Sequence, residues 1–169
     1  MSGDVQLSPA EAYAAAKARS KHSVTQEFID AFDFGFDSFQ IEACQAVEDG
    51  NGVLVAAPTG AGKTVVGEFA AYFALKRGKK CFYTTPIKAL SNQKFHEFVE
   101  RFGEDRVGLL TGDTNINSDA EIMVMTTEVL RNMLYANSST LLNLGAVVMD
   151  EVHYLADKFR EIGRASCRE

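Results

Sequence analysis

Val53-Leu54-Val55-Ala56-Ala57-Pro58-Thr59-Gly60-Ala61-Gly62-Lys63-Thr64 decides how the rest of the chain is read. Four apolar residues come first, as expected of a short strand buried on both faces. A glycine-bearing turn follows and runs into a helical pattern from Lys63 to Arg77. Strand, loop and helix in this order are the context of a phosphate-binding loop. Gly60 and Gly62 let the backbone curl through Thr59 and Ala61, so that successive N–H groups converge on an anion. The helix N-terminus behind the loop adds its dipole. Lys63 offers a point charge to terminal phosphates, and Thr64 offers a hydroxyl to Mg²⁺. The generic motif has glycine where this chain has Ala57.

Four more apolar runs follow: Cys81-Phe82-Tyr83-Thr84, Val107-Gly108-Leu109-Leu110, Ile122-Met123-Val124-Met125 and Ala146-Val147-Val148-Met149. Helical stretches over Ile87 to Phe102 and Glu128 to Asn137 separate most of them. Gly78 and Gly103 stand where helix C-caps belong. Buried strands alternating with helices predict an α/β fold, a parallel sheet with helices on both faces. Upstream, Ser8-Pro9-Ala10-Glu11 reads as a capping box opening an Ala-rich helix to about Ser20. Residues 24–34 carry Phe28, Phe32 and Phe34 at spacings suited to one helical face. A third helix starts at Ser38 and passes through Ile41, Cys44 and Val47 to Gly50 or Gly52.

A phosphate loop needs a second strand ending in carboxylate, and Val147-Val148-Met149-Asp150-Glu151 supplies it. Asp150 suits Mg²⁺, through water. Glu151 suits a general base for an attacking water. His153 follows, with no partner at metal-ligand spacing, so zinc is not expected.

The 169 residues are 46% hydrophobic and 24% charged, with a net charge of −6, which is the composition of a globular domain. The acidic balance excludes a simple basic nucleic-acid coat or a binder of anionic membranes. It leaves room for a protein that grips nucleic acid with backbone amides and hydroxyls. No apolar run is long enough to span a bilayer, and Met1-Ser2-Gly3-Asp4 is no secretory signal. Cys44, Cys81 and Cys167 form no CxxC pair and read as reduced thiols of a cytoplasmic protein.

These residues together carry a family resemblance. Ala57-Pro58-Thr59-Gly60-Ala61-Gly62-Lys63-Thr64 and Asp150-Glu151-Val152-His153 resemble motifs I and II of superfamily-two DExH helicases, where alanine at the Ala57 position is usual. Pro86-Ile87-Lys88-Ala89-Leu90-Ser91-Asn92-Gln93 resembles motif Ia, and Thr111-Gly112-Asp113 resembles motif Ib. Thr126-Thr127-Glu128-Val129-Leu130-Arg131 resembles the motif after it, and Phe39-Gln40 the upstream glutamine motif. The wording is most similar to Ski-type RNA helicases, bacterial members above all, from about Phe32 to Arg160.

The resemblance implies an ATP-driven motor lobe of RecA-like fold, using ATP and Mg²⁺ to move along or unwind RNA. Gln40 would read adenine. Pro86, Ser91, Asn92, Gln93, Thr111, Gly112, Thr127 and Arg131 would hold the backbone of a single strand, with Leu90 packed in the core. His153 would couple the phosphate site to the RNA surface. The expected organisation is an N-terminal helical appendage over 1–35 and a first RecA-like domain over 36–160. Residues 161–169 read as the in-frame translation of a sequencing-library adapter, a non-native tail. Motif III and a second RecA-like lobe with its arginine fingers belong to the family but not to these residues. The motif III strand normally separates the phosphate-loop strand from the acidic one. These 169 residues alone are therefore expected to be inactive and poorly stable. Three alternatives stand beside the RNA helicase: a DNA helicase of a related DExH branch, a truncated nucleotide-binding fragment without catalysis, and a generic P-loop ATPase without nucleic acid, which would not explain the ordered Thr- and Asn-bearing motifs.

Overall fold

The computed structural model describes Ser8, residues 21–58 and residues 60–152. Thr59, His153, Cys167, the Ser8–Ser20 helix expectation and the 161–169 tail lie, wholly or nearly so, outside the described residues. The chain divides into two compact units, Met1–Phe69 and Ala70–Glu169.

The first unit holds α1 (Ser23–Asp30), α2 (Ser38–Glu48) and the start of α3 (Thr64–Lys76). Helix α1 has no side-chain cap of its own. Glu48, at the far end of α2, substitutes for one: its carboxylate accepts from the N–H of Val24 at 3.2 Å, and from the N–H and hydroxyl of Thr25 at 2.8 and 2.6 Å. A carboxylate there satisfies orphan donors and complements the helix dipole. Helix α1 stops at Asp30, so Phe32 and Phe34 do not share its face, contrary to the sequence reading. Their rings gather by ring contact instead. Phe32 meets Phe28, Phe34 and Phe36 edge-on, each at 5.0 Å, and Phe28 packs on Phe69 at 5.3 Å.

The second unit is a five-stranded sheet in the order β3-β2-β4-β1-β5. Its strands are β1 (Lys80–Thr85), β2 (Val107–Leu110), β3 (Asn115–Ile116), β4 (Ile122–Thr126) and β5 (Leu144–Met149). All neighbours pair in parallel except β2 and β3. Helix α4 (Lys88–Phe102) joins β1 to β2, and α5 (Thr127–Tyr135) follows β4. Alternate residues of the strands feed two cores. Cys81, Tyr83, Val107, Leu109, Ile122 and Val124 pack with Ala71 and Ala74 of α3 and Phe95 and Phe98 of α4. Phe82, Met123 and Met125 pack with Leu130 of α5. Complete burial of a side chain such as Phe98 or Val124 contributes about 1.5–3 kcal/mol. The thiols of Cys44 and Cys81 are fully buried, and burial pushes both up to about 12, which keeps them protonated and inert.

Two strand expectations need correction. Val53–Ala56 is no strand, and Leu54 is 84% exposed. An apolar run becomes a strand only where a neighbouring strand takes its ladder hydrogen bonds. Residues 146–149 do form a strand, but not one buried on both faces. β5 borders β1 alone, and its residues alternate, with Val147 and Met149 exposed. Among the described residues no helix is long and apolar enough to cross a membrane.

Candidate functional site

The phosphate loop belongs to the first unit. Gly60 and Gly62 both adopt left-handed backbone, at φ +86° and +74°, the geometry the sequence demanded of them. The Lys63 ammonium bridges the loop and donates to the Ala57 carbonyl at 2.6 Å. A neutral carbonyl is a partner that an incoming phosphate can replace. Thr64 opens α3, so its hydroxyl stands at the helix N-terminus beside the loop.

Gln40, the expected reader of adenine, makes hydrogen bonds within the protein. It is buried, and its amide is engaged at both ends. Oε1 accepts from the Asp37 N–H at 2.8 Å, and Nε2 donates to the Gly62 carbonyl at 3.0 Å. Gln40 thus ties the first turn of α2 to the phosphate loop. A Cβ on Gly62 would stand 2.5 Å from Gln40 Nε2, so glycine is required there twice, for its φ and for this brace.

The second unit collects the other motifs along one sheet edge. β1, β2 and β4 are parallel, and Thr85 lies in register with Thr126, so their C-terminal ends align. Each runs directly into a motif: Pro86-Ile87 and α4 after β1, Thr111-Gly112-Asp113 after β2, and Thr127 and α5 after β4. Ligands of open α/β sheets bind outside this carboxyl edge.

The hydroxyls of Ser91, Thr111 and Thr127 at this edge bond to groups of the protein itself. Ser91 is fully buried and shares a hydrogen bond with Thr85 Oγ1 at 2.7 Å. Thr85 Oγ1 also lies 3.1 Å from the Ile87 carbonyl. The Thr127 hydroxyl donates to the Thr85 carbonyl at 3.1 Å. Thr111, also buried, donates to Asp113 Oδ1 at 3.0 Å. Short hydroxyl side chains at strand ends satisfy nearby backbone groups, and that use wins here. Leu90 is only half-buried.

What the edge turns outward is Gly112, Asp113, Lys88, Gln93 and Arg131, with Asn92 half-buried. Pro86 is also half-buried. Gln93 donates to Glu97 at 2.8 Å, and Arg131 pairs with Glu128 at 3.6 Å. Lys88 reaches Asp113 at 2.6 Å and so joins motif Ia to motif Ib. That ion pair, with the Thr111 hydroxyl, holds the Asp113 carboxyl below the usual carboxylate range. The Lys88–Asp113 bridge was not legible in the sequence, since 25 residues separate the partners.

β5 brings Asp150 and Glu151 to the same edge. Asp150 Oδ2 accepts from the Tyr83 hydroxyl at 2.8 Å, and Oδ1 from the Glu151 N–H at 2.9 Å. Glu151 has φ +52°, a left-handed backbone rare for glutamate. Such strain persists where surrounding bonds enforce it and gathers at functional sites. Among the described residues no group of three or more His, Cys, Asp or Glu could hold a metal ion.

The mostly parallel sheet of the second unit, with helices between its strands, is of the α/β class. Residues 37–168 match the DEAD/DEAH box helicase family, and the chain belongs to that family. It is 62% identical over 133 residues to a probable helicase, HelY, of Mycobacterium tuberculosis, covering 79% of this chain and 15% of that protein. It is 48% identical over 132 residues to the antiviral helicase SKI2 of Saccharomyces cerevisiae, covering 78% of this chain and 10% of that protein. The chain thus spans a small part of the length of such relatives. The crystal structure of a hypothetical ATP-dependent RNA helicase from Sulfolobus tokodaii superposes with a TM-score of 0.59 at 24% identity. That match covers 85% of this chain and 44% of the other, and it shows the shared fold.

Proposed function

We propose that this chain is the ATP-binding lobe of an ATP-dependent RNA helicase of the Ski type. The observation that carries the reading is the shared carboxyl edge of the sheet, where three motif-bearing strand ends lie beside a strand ending in Asp150-Glu151. Helices α4 and α5 both begin at that edge, and the free N–H groups of a helix N-terminus suit phosphate oxygens. Backbone contacts of this kind hold a strand without reading its sequence. The likeness of the motifs to those of Ski-type RNA helicases supports RNA as that strand.

ATP fits the residues of the loop: two left-handed glycines, a lysine held by an exchangeable carbonyl, and a hydroxyl at a helix start. Mg²⁺ fits a sparse protein donor set, because it prefers to keep water and phosphate oxygens as ligands. Thr64 and Asp150 are the protein groups that would hold it, and it would supply charge neutralisation at the phosphates. Lys63 offsets charge on the terminal phosphates, Glu151 takes the proton of the attacking water, and the edge motifs grip the nucleic acid. The second lobe and its arginine fingers complete this reading. The test is ATP hydrolysis by the full-length protein with and without single-stranded RNA. Stimulation by RNA, stronger than by DNA of the same sequence, is expected. Equal rates with and without nucleic acid overturn the helicase reading, and a DNA preference overturns the choice of RNA, because the 2′-OH is what separates the two ligands.

A further inference from the structure

We propose that Tyr83 is a positioning residue for the Asp150 carboxylate, setting the affinity of the site for Mg²⁺. The inference rests on the reading of Asp150 as the group that holds the metal. Tyr83 sits on β1 with its side chain in the core shared with α3 and α4, 1% exposed, its ring 4.9 Å from that of Phe98. Phenylalanine would fill that space equally well. The hydroxyl is what packing does not explain, and a buried hydroxyl requires an acceptor.

Its acceptor is Asp150 Oδ2, at the end of the adjacent strand. The carboxylate is held by two bonds and its backbone by a third. Tyr83 takes Oδ2, the Glu151 N–H takes Oδ1, and the Asp150 N–H donates to the Thr84 carbonyl at 2.9 Å. Both carboxylate oxygens are thus engaged in a single rotamer. Each carboxylate oxygen keeps a further lone pair for water or metal, because a carboxylate accepts about four hydrogen bonds. Groups behind a metal ligand that fix its orientation typically govern affinity by 10- to 100-fold.

Tyr83→Phe deletes one oxygen and keeps the packing. The experiment titrates Mg²⁺ into the full-length protein bound to a fluorescent, non-hydrolysable ATP analogue. The same affinity is measured again in EDTA. A positioning role predicts a Mg²⁺ midpoint raised about tenfold, with the EDTA affinity unchanged. ATP hydrolysis recovers at high Mg²⁺. Phe82→Leu, on the opposite face of the same strand, serves as control: it lowers the melting temperature and leaves the Mg²⁺ midpoint in place. An unchanged midpoint in Tyr83→Phe overturns the proposal while leaving the helicase reading intact. So does a shift matched by Phe82→Leu, which would make the effect one of general stability. Wild-type protein whose analogue affinity ignores Mg²⁺ overturns both readings together.

Discussion

Val53-Leu54-Val55-Ala56 and Ile122-Met123-Val124-Met125 are two four-residue apolar runs, and by pattern alone both are buried strands. The second is the heart of β4, flanked by β2 and β1, with every residue at most 2% exposed. The first is no strand, and Leu54 is 84% exposed. Apolar pattern records a demand for burial. Whether the demand is met depends on neighbours, which lie elsewhere in the chain.

Substitution breaks the comparison most directly. Val124→Asp forces a carboxylate into a fully closed site and should cost more than about 4 kcal/mol, enough to abolish folding. Leu54→Asp should stay within about 0.5 kcal/mol, as surface changes do. Urea denaturation of the two variants measures both, and equal costs would show that Val53–Ala56 is paired in solution.

The loop that follows the first run should be less tolerant than the run itself. Gly62→Val imposes a side chain at φ +74° and displaces Gln40 from its brace. Left-handed strain of about 1–2 kcal/mol adds to the lost brace. Binding of a fluorescent ATP analogue should fall at least tenfold. Gly112→Ala, with open space around it and no positive φ, should leave binding unchanged.

Glu48→Ala removes the carboxylate that caps α1 and should cost about 1–2 kcal/mol. Thermal melts followed by circular dichroism measure the loss, and Glu48→Gln should recover part of it by keeping an acceptor.

The smallest effect falls at the exposed end of the second unit. Asp113 titrates below the ordinary carboxylate range, first because of Lys88 and then because of Thr111. A carboxylate depressed in the folded state contributes stability above its unfolded pKa, and that contribution is lost as pH falls through the folded value. Carboxyl carbon NMR of Lys88→Met should show the Asp113 titration moving up toward the ordinary value.

β1, β2 and β4 were legible because their runs are buried on two faces and bounded by turns, and β5 because its run is apolar although only half-buried. β2 was located at its exact ends, and β1, β4 and β5 within two residues. β3 was not foreseen, since Asn115-Ile116 carries no apolar pattern and exists by pairing with Leu109 and Leu110. The aromatic block at 28–36 was legible as a cluster but not as its geometry, because ring packing continues after the helix has stopped. At the site, residue types and spacing identified the phosphate loop, the acid pair and the strand-end motifs. They did not show that the Ser91 hydroxyl is used internally, because its partner is Thr85 at the end of the preceding strand.

By itself the sequence determined the alternation of strands and helices, the two left-handed glycines, and membership of a helicase family whose motifs stand in order. Those properties are local, written in period, turn chemistry and contiguous motif. Only the tertiary structure decided that Val53–Ala56 is no strand and that Gln40 braces Gly62. It alone decided that Lys88 meets Asp113 and that Tyr83 holds Asp150. Each of these is a contact, or a missing one, between segments distant in the chain, and no local pattern encodes which distant group will stand within hydrogen-bonding reach.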